Sequence, residues 1–362
     1  MIWLITLVLV FVALAAITRL FLDGEDLSRY DNRLGDAPPV RDPSEAHFEA
    51  VRTIRDMQQA SGGGGLASGQ RLKEMRATVD EMGLLDDPEL RFEAVSANGV
   101  AAEWVLAPNS DPKRRFLYLH GGAYMVGSPR SHRKITARLA RLADAAVLSV
   151  DYRLMPEHAR LAGIEDCRAA YRWILENGPD GHEPLEALFV AGDSAGGNLT
   201  LSTAAWARDA KLRAANAVIA LSPHTDTCMA SPSLEANLET DHMLGPMFAT
   251  LTRIPRGIAL WTGWWSNRMA PKDPRISPLR GDLSNLPPTL VHASEAEMLL
   301  DDARRYVARA VEAGSDARLS TWHHQLHVWH LFEGLPEADE AYADIASFIE
   351  EFAPRGSSLS SA

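Results

Sequence analysis

Cysteine is nearly absent: Cys167 and Cys228 are the only two in 362 residues, and no C-x-x-C spacing occurs. That excludes a disulfide framework and leaves the redox compartment open; both read as packed thiols, since cysteine is among the most buried residue types. Basic residues are short by comparison, 36 lysines and arginines against 48 aspartates and glutamates, for a net charge of -12. A surface of that sign repels phosphate backbones, so nucleic acid is excluded as a partner class. The glycine run Ser61-Gly62-Gly63-Gly64-Gly65-Leu66-Ala67-Ser68-Gly69 lacks a following Gly-Lys-Ser/Thr and reads as a flexible joint rather than a phosphate cradle. No internal repeat is visible. What is present, 46% hydrophobic and 23% charged residues, belongs to a globular chain and not to a disordered or collagen-like one. Its length allows one large domain or two modest ones.

Only one long apolar run exists. Ile2 to Thr18 carries no charge over 17 residues, about 26 Å as a helix, which is long enough for a bilayer. Arg19 and Asp23-Gly24-Glu25-Asp26 close it. Ala13-Leu14-Ala15 would suit signal cleavage, but no lysine or arginine precedes the run. A buried core helix is a third reading. The expectation taken forward is a transmembrane helix over residues 1–22. Arg19, Arg29 and Arg33 lean the remainder toward the cytoplasm, with the side of the membrane left open.

Residues 23–44 read as a charged, proline-punctuated linker. Phe48, Val51 and Ile54 have helical spacing over Glu45 to Met57, and a second helix follows over Gln70 to Met82. Past Pro88 the pattern becomes alternating. Arg91 to Val95 and Ala102 to Leu106 flank the turn signal Asn98-Gly99 and predict a hairpin. Short apolar runs at 116–119, 146–150, 188–191, 218–221 and 289–293 have the character of strands buried on both faces. Helical patterns lie between them, such as Ile135, Leu139, Leu142 and Ile164, Cys167, Tyr171, Ile174. The repetition implies an α/β fold, a mostly parallel sheet with helices on both faces. Pro354 to Ala362 is small and polar and reads as a disordered tail.

Ligands collect at the carboxyl ends of such strands. The run Leu188 to Ala191 leads into Gly192-Asp193-Ser194-Ala195-Gly196-Gly197, the only G-x-S-x-G in the chain, with a helical pattern beyond it. A serine on a tight strand-to-helix turn needs small neighbours and presents its hydroxyl beside the helix N-terminus. His120-Gly121-Gly122-Ala123 follows the strand 116–119. The bare N–H groups of Gly121 and Gly122, with that of Ala195, form the expected oxyanion hole, each donor being worth about 3 kcal/mol in the transition state. A serine nucleophile requires a histidine base and a carboxylate behind it, in the chain order Ser, Asp or Glu, His. Candidate bases after the last predicted strand, Ala317 to Trp322, are His323, His324, His327 and His330. Their clustering lacks an H-E-x-x-H pattern, so a metal is not expected. Candidate acids lie in Ser294 to Asp302.

From about Arg91 to Glu351 the chain resembles the hormone-sensitive-lipase-like (family IV) esterases of the α/β-hydrolase superfamily. The resemblance rests on His120-Gly121-Gly122-Ala123-Tyr124, Asp151-Tyr152-Arg153-Leu154-Met155-Pro156-Glu157-His158, Gly192 to Gly197, Leu286-Pro287-Pro288 with Leu299-Leu300-Asp301-Asp302, and His327-Val328-Trp329. It implies an α/β-hydrolase fold with an N-terminal helical cap over 45–88, a catalytic domain over 89–353, and carboxylic-ester hydrolysis. It places the base at His327. Setting Leu299 on the leucine of the family's Asp-Pro-Leu-x-x-Asp places the acid at Glu297, with Glu295 as runner-up. Asp301 and Asp302 are expected to cap or face solvent on the next helix. Asp151, Arg153, Glu157 and His158 are expected to shape a loop by local ion pairing, and Trp261, Trp264 and Trp265 are candidates for an acyl pocket or for ordinary packing.

The expected reaction is ester hydrolysis on small to medium acyl groups, with Ser194, Glu297 and His327 as the triad and no cofactor. Expected partners are a small-molecule ester, the membrane and a second copy in a homodimer. Rival readings are an amidase or deacetylase using the same residues, and a non-catalytic binding protein on the hydrolase scaffold.

Overall fold

The apolar runs pair into a single large sheet in the computed structural model, which describes residues 2–31, 40–60 and 69–355. The glycine joint at 61–68, residues 32–39 of the linker and the tail beyond 355 lie outside the described residues. Strands β1 (Arg91–Ala97), β2 (Val100–Leu106), β3 (Asp111–Leu119) and β4 (Ala145–Val150) come first. A two-stranded ribbon, β5 (Asn177–Gly178) and β6 (Gly181–His182), precedes β7 (Ala187–Asp193), β8 (Ala217–Leu221), β9 (Thr289–Ser294) and β10 (Ala317–Trp322). The main sheet has the order β1-β2-β4-β3-β7-β8-β9-β10. Its β4-to-β10 portion is parallel, and β1 and β2 run antiparallel at one edge. The Asn98-Gly99 turn joins them with φ of 52° and 86°, the pair of positive angles that a two-residue hairpin of matching twist requires.

Strands β4, β7 and β8 are buried at every position, as strands covered on both faces must be. On one face lie α4 (Arg133–Ala143) and α11 (Pro336–Phe352), which bury Ile135, Leu139, Ile345 and Phe348 against Phe116, Phe189 and Ile219. On the other lie α5 (Arg160–Ile174), α6 (Ala195–Asp209) and α10 (Leu300–Glu312), whose Ile164, Leu199 and Tyr306 meet Leu117, Val190 and Val291. Cys167 and Cys228 are free and buried.

The N-terminal elements differ from expectation. Helix α1 (Ile2–Ile17) is sixteen residues long, and the chain then widens into a π-helical turn, Thr18–Leu22, closed by Asp23 N–H donating to the Thr18 carbonyl. Among the described residues no helix is long and apolar enough to cross a membrane. The π turn coincides with docking: Leu22 is buried with Cys228, Leu260 and Trp261, so the apolar run ends inside the globule's own packing. Helix α2 (Glu45–Ala60) packs Ala50, Val51 and Ile54 on Leu326, Trp329 and Leu335. Helix α3 (Gly69–Met82) packs Leu72 on Val126. Between β8 and β9 the chain forms α7 (Ser233–Ala236), α8 (Gly245–Phe248) and α9 (Arg256–Asn267).

Candidate active site

Four strands of the parallel sheet, β3, β7, β9 and β10, deliver the reactive groups from their carboxyl ends, where open α/β sheets gather ligands. Ser194 is the residue between β7 and α6, with φ of 52° and ψ of -116°. A positive φ at a residue with a Cβ is strained and must be over-determined by its surroundings. Here Ser194 N–H donates to the Leu221 carbonyl at 2.7 Å, and its own carbonyl accepts from Asn198 and His224. A Cβ on Gly196 would lie 1.9 Å from the Leu119 carbonyl oxygen, so the turn can be this tight only with glycine there. The result is a serine hydroxyl at the N-terminus of α6, where unpaired N–H groups favour negative charge.

His327 and Glu297 meet 30 residues apart in sequence. The His327 Nδ1–H donates to Glu297 Oε2 at 2.7 Å, with both side chains buried. The other oxygen, Oε1, accepts the Ser294 N–H at 2.9 Å, which fixes the carboxylate against the end of β9. Glu295 turns away and pairs with Arg304 at 2.6 Å. With Nδ1 engaged, His327 Nε2 is left as a lone pair, and it is buried with no hydrogen-bond partner among the described residues. Burial alone would depress the imidazole pKa, but the hydrogen bond it donates to Glu297 and the charges of Glu297, Asp241 and Asp193 together raise it. The loop is held by strain as well: Val328 has φ of 54° and ψ of 49°, an unusual backbone for a β-branched residue, and its N–H donates to Ser222 Oγ.

The glycine loop departs from expectation at one residue. Gly121 N–H is not free; it donates to Asp193 Oδ1 at 2.9 Å. Among the described residues the N–H groups of Gly122, Ala123 and Ala195 donate to no protein acceptor. Sequence reasoning passed over Asp193, which stood as an unassigned letter inside the serine motif. It also accepts from Tyr118 OH at 2.6 Å and meets His132 Nε2 at 3.2 Å. Burial would raise its pKa, yet the His132 charge and these hydrogen bonds hold it down at about 2. Asp193 therefore ties the glycine loop to the strand that carries the nucleophile.

Neighbouring side chains complete the surroundings. Tyr124 OH contacts His224 Nδ1 at 3.0 Å, and the buried Arg160 guanidinium lies over the Tyr124 ring. Burial, and then the Arg160 charge, push His224 down to about 4. Arg153 pairs with Asp166, and Arg76 of α3 grips Glu157 and the Met125 and Met155 carbonyls, so this loop is shaped by ion pairs. Asp302 does not face solvent. It is buried and accepts from Thr225 N–H, Asp226 N–H and Ser231, bonds from a distant loop that helix position could not disclose. Trp264 and Trp265 are exposed, and Trp261 donates to Thr18 Oγ1. Among the described residues no group of three or more histidines, cysteines or acids is placed to hold a metal.

A strained serine at a helix N-terminus, a carboxylate-held histidine with a free nitrogen and a set of unused backbone donors define a serine hydrolase that attacks acyl carbons. Comparison with known proteins agrees. A family model described as the alpha/beta hydrolase fold matches residues 116–331. An acetyl-hydrolase of Streptomyces hygroscopicus is 36% identical over 259 residues, 71% of this chain and 82% of the relative. An esterase of Acinetobacter venetianus is 31% identical over 76% of this chain and 87% of its own. The crystal structure of an esterase from the bacterial hormone-sensitive lipase family superposes with a TM-score of 0.73 at 33% identity, covering 86% of this chain and all of that one. The chain belongs to the α/β-hydrolase family, in its hormone-sensitive-lipase-like esterase branch, and is a serine carboxylic-ester hydrolase.

Proposed function

We propose that the protein hydrolyses esters of small to medium acyl groups through an acyl-enzyme on Ser194. Ser194 Oγ attacks the ester carbonyl carbon as its proton passes to His327 Nε2. The oxyanion is held by Gly122, Ala123 and Ala195, with Ala123 taking the place first expected of Gly121. His327 returns the proton to the departing alcohol. It then takes a proton from water as the water oxygen attacks the acyl carbon, and gives that proton to Ser194 Oγ as the carbon–Oγ bond breaks and the acid leaves. Glu297 keeps Nδ1 protonated throughout. The observation that carries this reading is the buried 2.7 Å pair of Glu297 and His327 with Nε2 left free.

The Streptomyces relative's name, acetyl-hydrolase, supports short acyl groups. Helices α2 and α3 serve as the cap over the site, consistent with the hold of Arg76 on Met125 and Met155. The kcat/KM values across p-nitrophenyl esters of two to twelve carbons, with matched anilides, test the assignment. A maximum at short esters with anilides far slower is expected; faster anilide cleavage would make the protein an amidase. We further infer that α1 embeds in lipid without crossing it, supported by its apolar sequence and exposed Trp3, Leu9 and Leu14. A chain lacking residues 1–22 that stayed in the membrane pellet would exclude this.

A further inference from the structure

Helix α9 is clamped to the end of α1. Trp261 Nε1–H donates to Thr18 Oγ1 at 2.8 Å, Lys272 Nζ donates to the Leu20 carbonyl at 2.6 Å, and Arg256 pairs with Asp23. Leu22, Cys228 and Leu260 close the joint between them. The side of α9 turned away from the buried Ala259 and Leu260 has no such cover among the described residues. Ile258 and Trp265 stand seven residues apart, two helical turns, and are 55% and 64% exposed, with Trp264 exposed beside them. Across the joint, Leu20 and Phe21 are 65% and 62% exposed, which extends this apolar surface onto the π turn.

Charge follows the same boundary. Residues 242–272 contain Arg253, Arg256, Arg268 and Lys272 and no aspartate or glutamate, and residues 1–22 contain Arg19 and no acid. In a chain of net charge -12, both segments lack acids, and the structure joins them. Arg268 lies over the Trp265 ring at 4.5 Å from its centroid, so a cation and an amphipathic indole form one unit. Indoles at the headgroup level, aliphatic groups below and cations above are the composition that binds an anionic lipid surface.

We propose that α9, together with the π turn after α1, forms a second lipid-docking surface that seats on an anionic bilayer, with Ile258, Trp264 and Trp265 in the headgroup–acyl boundary and Arg253 and Arg268 on the headgroups. This rests on the lipid-embedding reading of α1 and adds an orientation to it. The β8–β9 connection leaves the sheet at the end that carries Ser194 and His327. Docking therefore turns that end of the molecule to the surface where apolar esters dissolve.

The test uses the full chain, reconstituted into phosphatidylcholine vesicles with and without phosphatidylglycerol. Both native cysteines are buried, so an NBD fluorophore can be placed selectively on Ile258→Cys. An Arg91→Cys control sits at the start of edge strand β1, at the opposite end of the sheet. Nitroxide-bearing acyl chains should quench the probe at 258 and spare that at 91, since docked groups lie about 5–10 Å deep. Quenching should be stronger with phosphatidylglycerol, and Arg253→Gln with Arg268→Gln should weaken that preference by about fivefold per cation. Vesicle-bound protein with an unquenched probe at 258 would overturn the proposal while leaving α1 as the anchor. No vesicle binding would overturn both readings. Self-quenching at 258 that grows with protein density, without nitroxide quenching, would show a second copy on this face and overturn it too.

Discussion

Replacing Glu297 by glutamine leaves the size of the side chain unchanged and removes half of what it does. Its two oxygens accept from two donors, Ser294 N–H at 2.9 Å and His327 Nδ1–H at 2.7 Å, and an amide has only one oxygen. If that oxygen stays with Ser294, the amide nitrogen points a hydrogen at His327 Nδ1. The ring then moves its proton to Nε2, the atom that must be bare to receive the Ser194 proton. If the amide turns over, the buried Ser294 N–H loses its acceptor, at a cost of about 1–3 kcal/mol. The first arrangement is the cheaper one, so the wrong tautomer dominates. Losses from such a change reach about 10⁴ in kcat, or ~5.5 kcal/mol in the barrier. KM on a p-nitrophenyl butyrate series should change little, because Glu297 is buried and away from the substrate. Glu295→Gln, which breaks only an ion pair with Arg304, should stay within about threefold. A loss under tenfold for Glu297→Gln, or equal losses for the two variants, would refute the assignment of the acid.

Further outcomes follow from the same geometry. His327 must be neutral to act, and its pKa is raised, so the acid limb of kcat/KM should lie above the ordinary imidazole value of about 6.5. In Glu297→Gln that limb should move to lower pH. Asp193→Ala leaves Gly121 N–H and Tyr118 OH without their acceptor. It should cost about 3–5 kcal/mol in denaturant unfolding and at least about 10² in kcat by loosening the oxyanion loop. Burial, followed by the Asp226 charge, pushes Asp302 up to about 7 from 3.8. Its folded form holds a proton that the unfolded chain releases, so its contribution is full below the unfolded value and is lost as pH rises through 7. Asp302→Asn should flatten the decline in Tm across that window; an unchanged slope would place the titration elsewhere.

Features written in contiguous letters were legible beforehand. The Asn98-Gly99 hairpin, the apolar runs of the parallel strands, and the glycine-flanked Ser194 each depend on neighbours a few residues away, and each has the geometry that its local pattern required. Glu297 and Glu295 differ by two positions in one loop; the register of Leu299 favoured Glu297, and it is Glu297 that accepts from His327. Three features were out of reach for a common reason. The commitment of Gly121 N–H depends on Asp193, 72 residues on; the burial of Asp302 depends on Thr225 and Ser231; and the π turn after α1 depends on Cys228 and Leu260. In each, a polar or apolar partner far along the chain decides between two locally equivalent outcomes. The aromatic cluster of α9 misled differently, because helical spacing marks a shared face without saying whether that face looks inward.

Activation of Ser194 as a nucleophile carries the whole reaction. It is tested most directly by treating the purified protein with a fluorophosphonate probe and mapping the labelled peptide by mass spectrometry, with Ser194→Ala alongside. A single adduct on Ser194 is expected, absent from the variant and suppressed by Glu297→Gln. A folded protein that takes no label, or one labelled elsewhere with Ser194 intact, would contradict it.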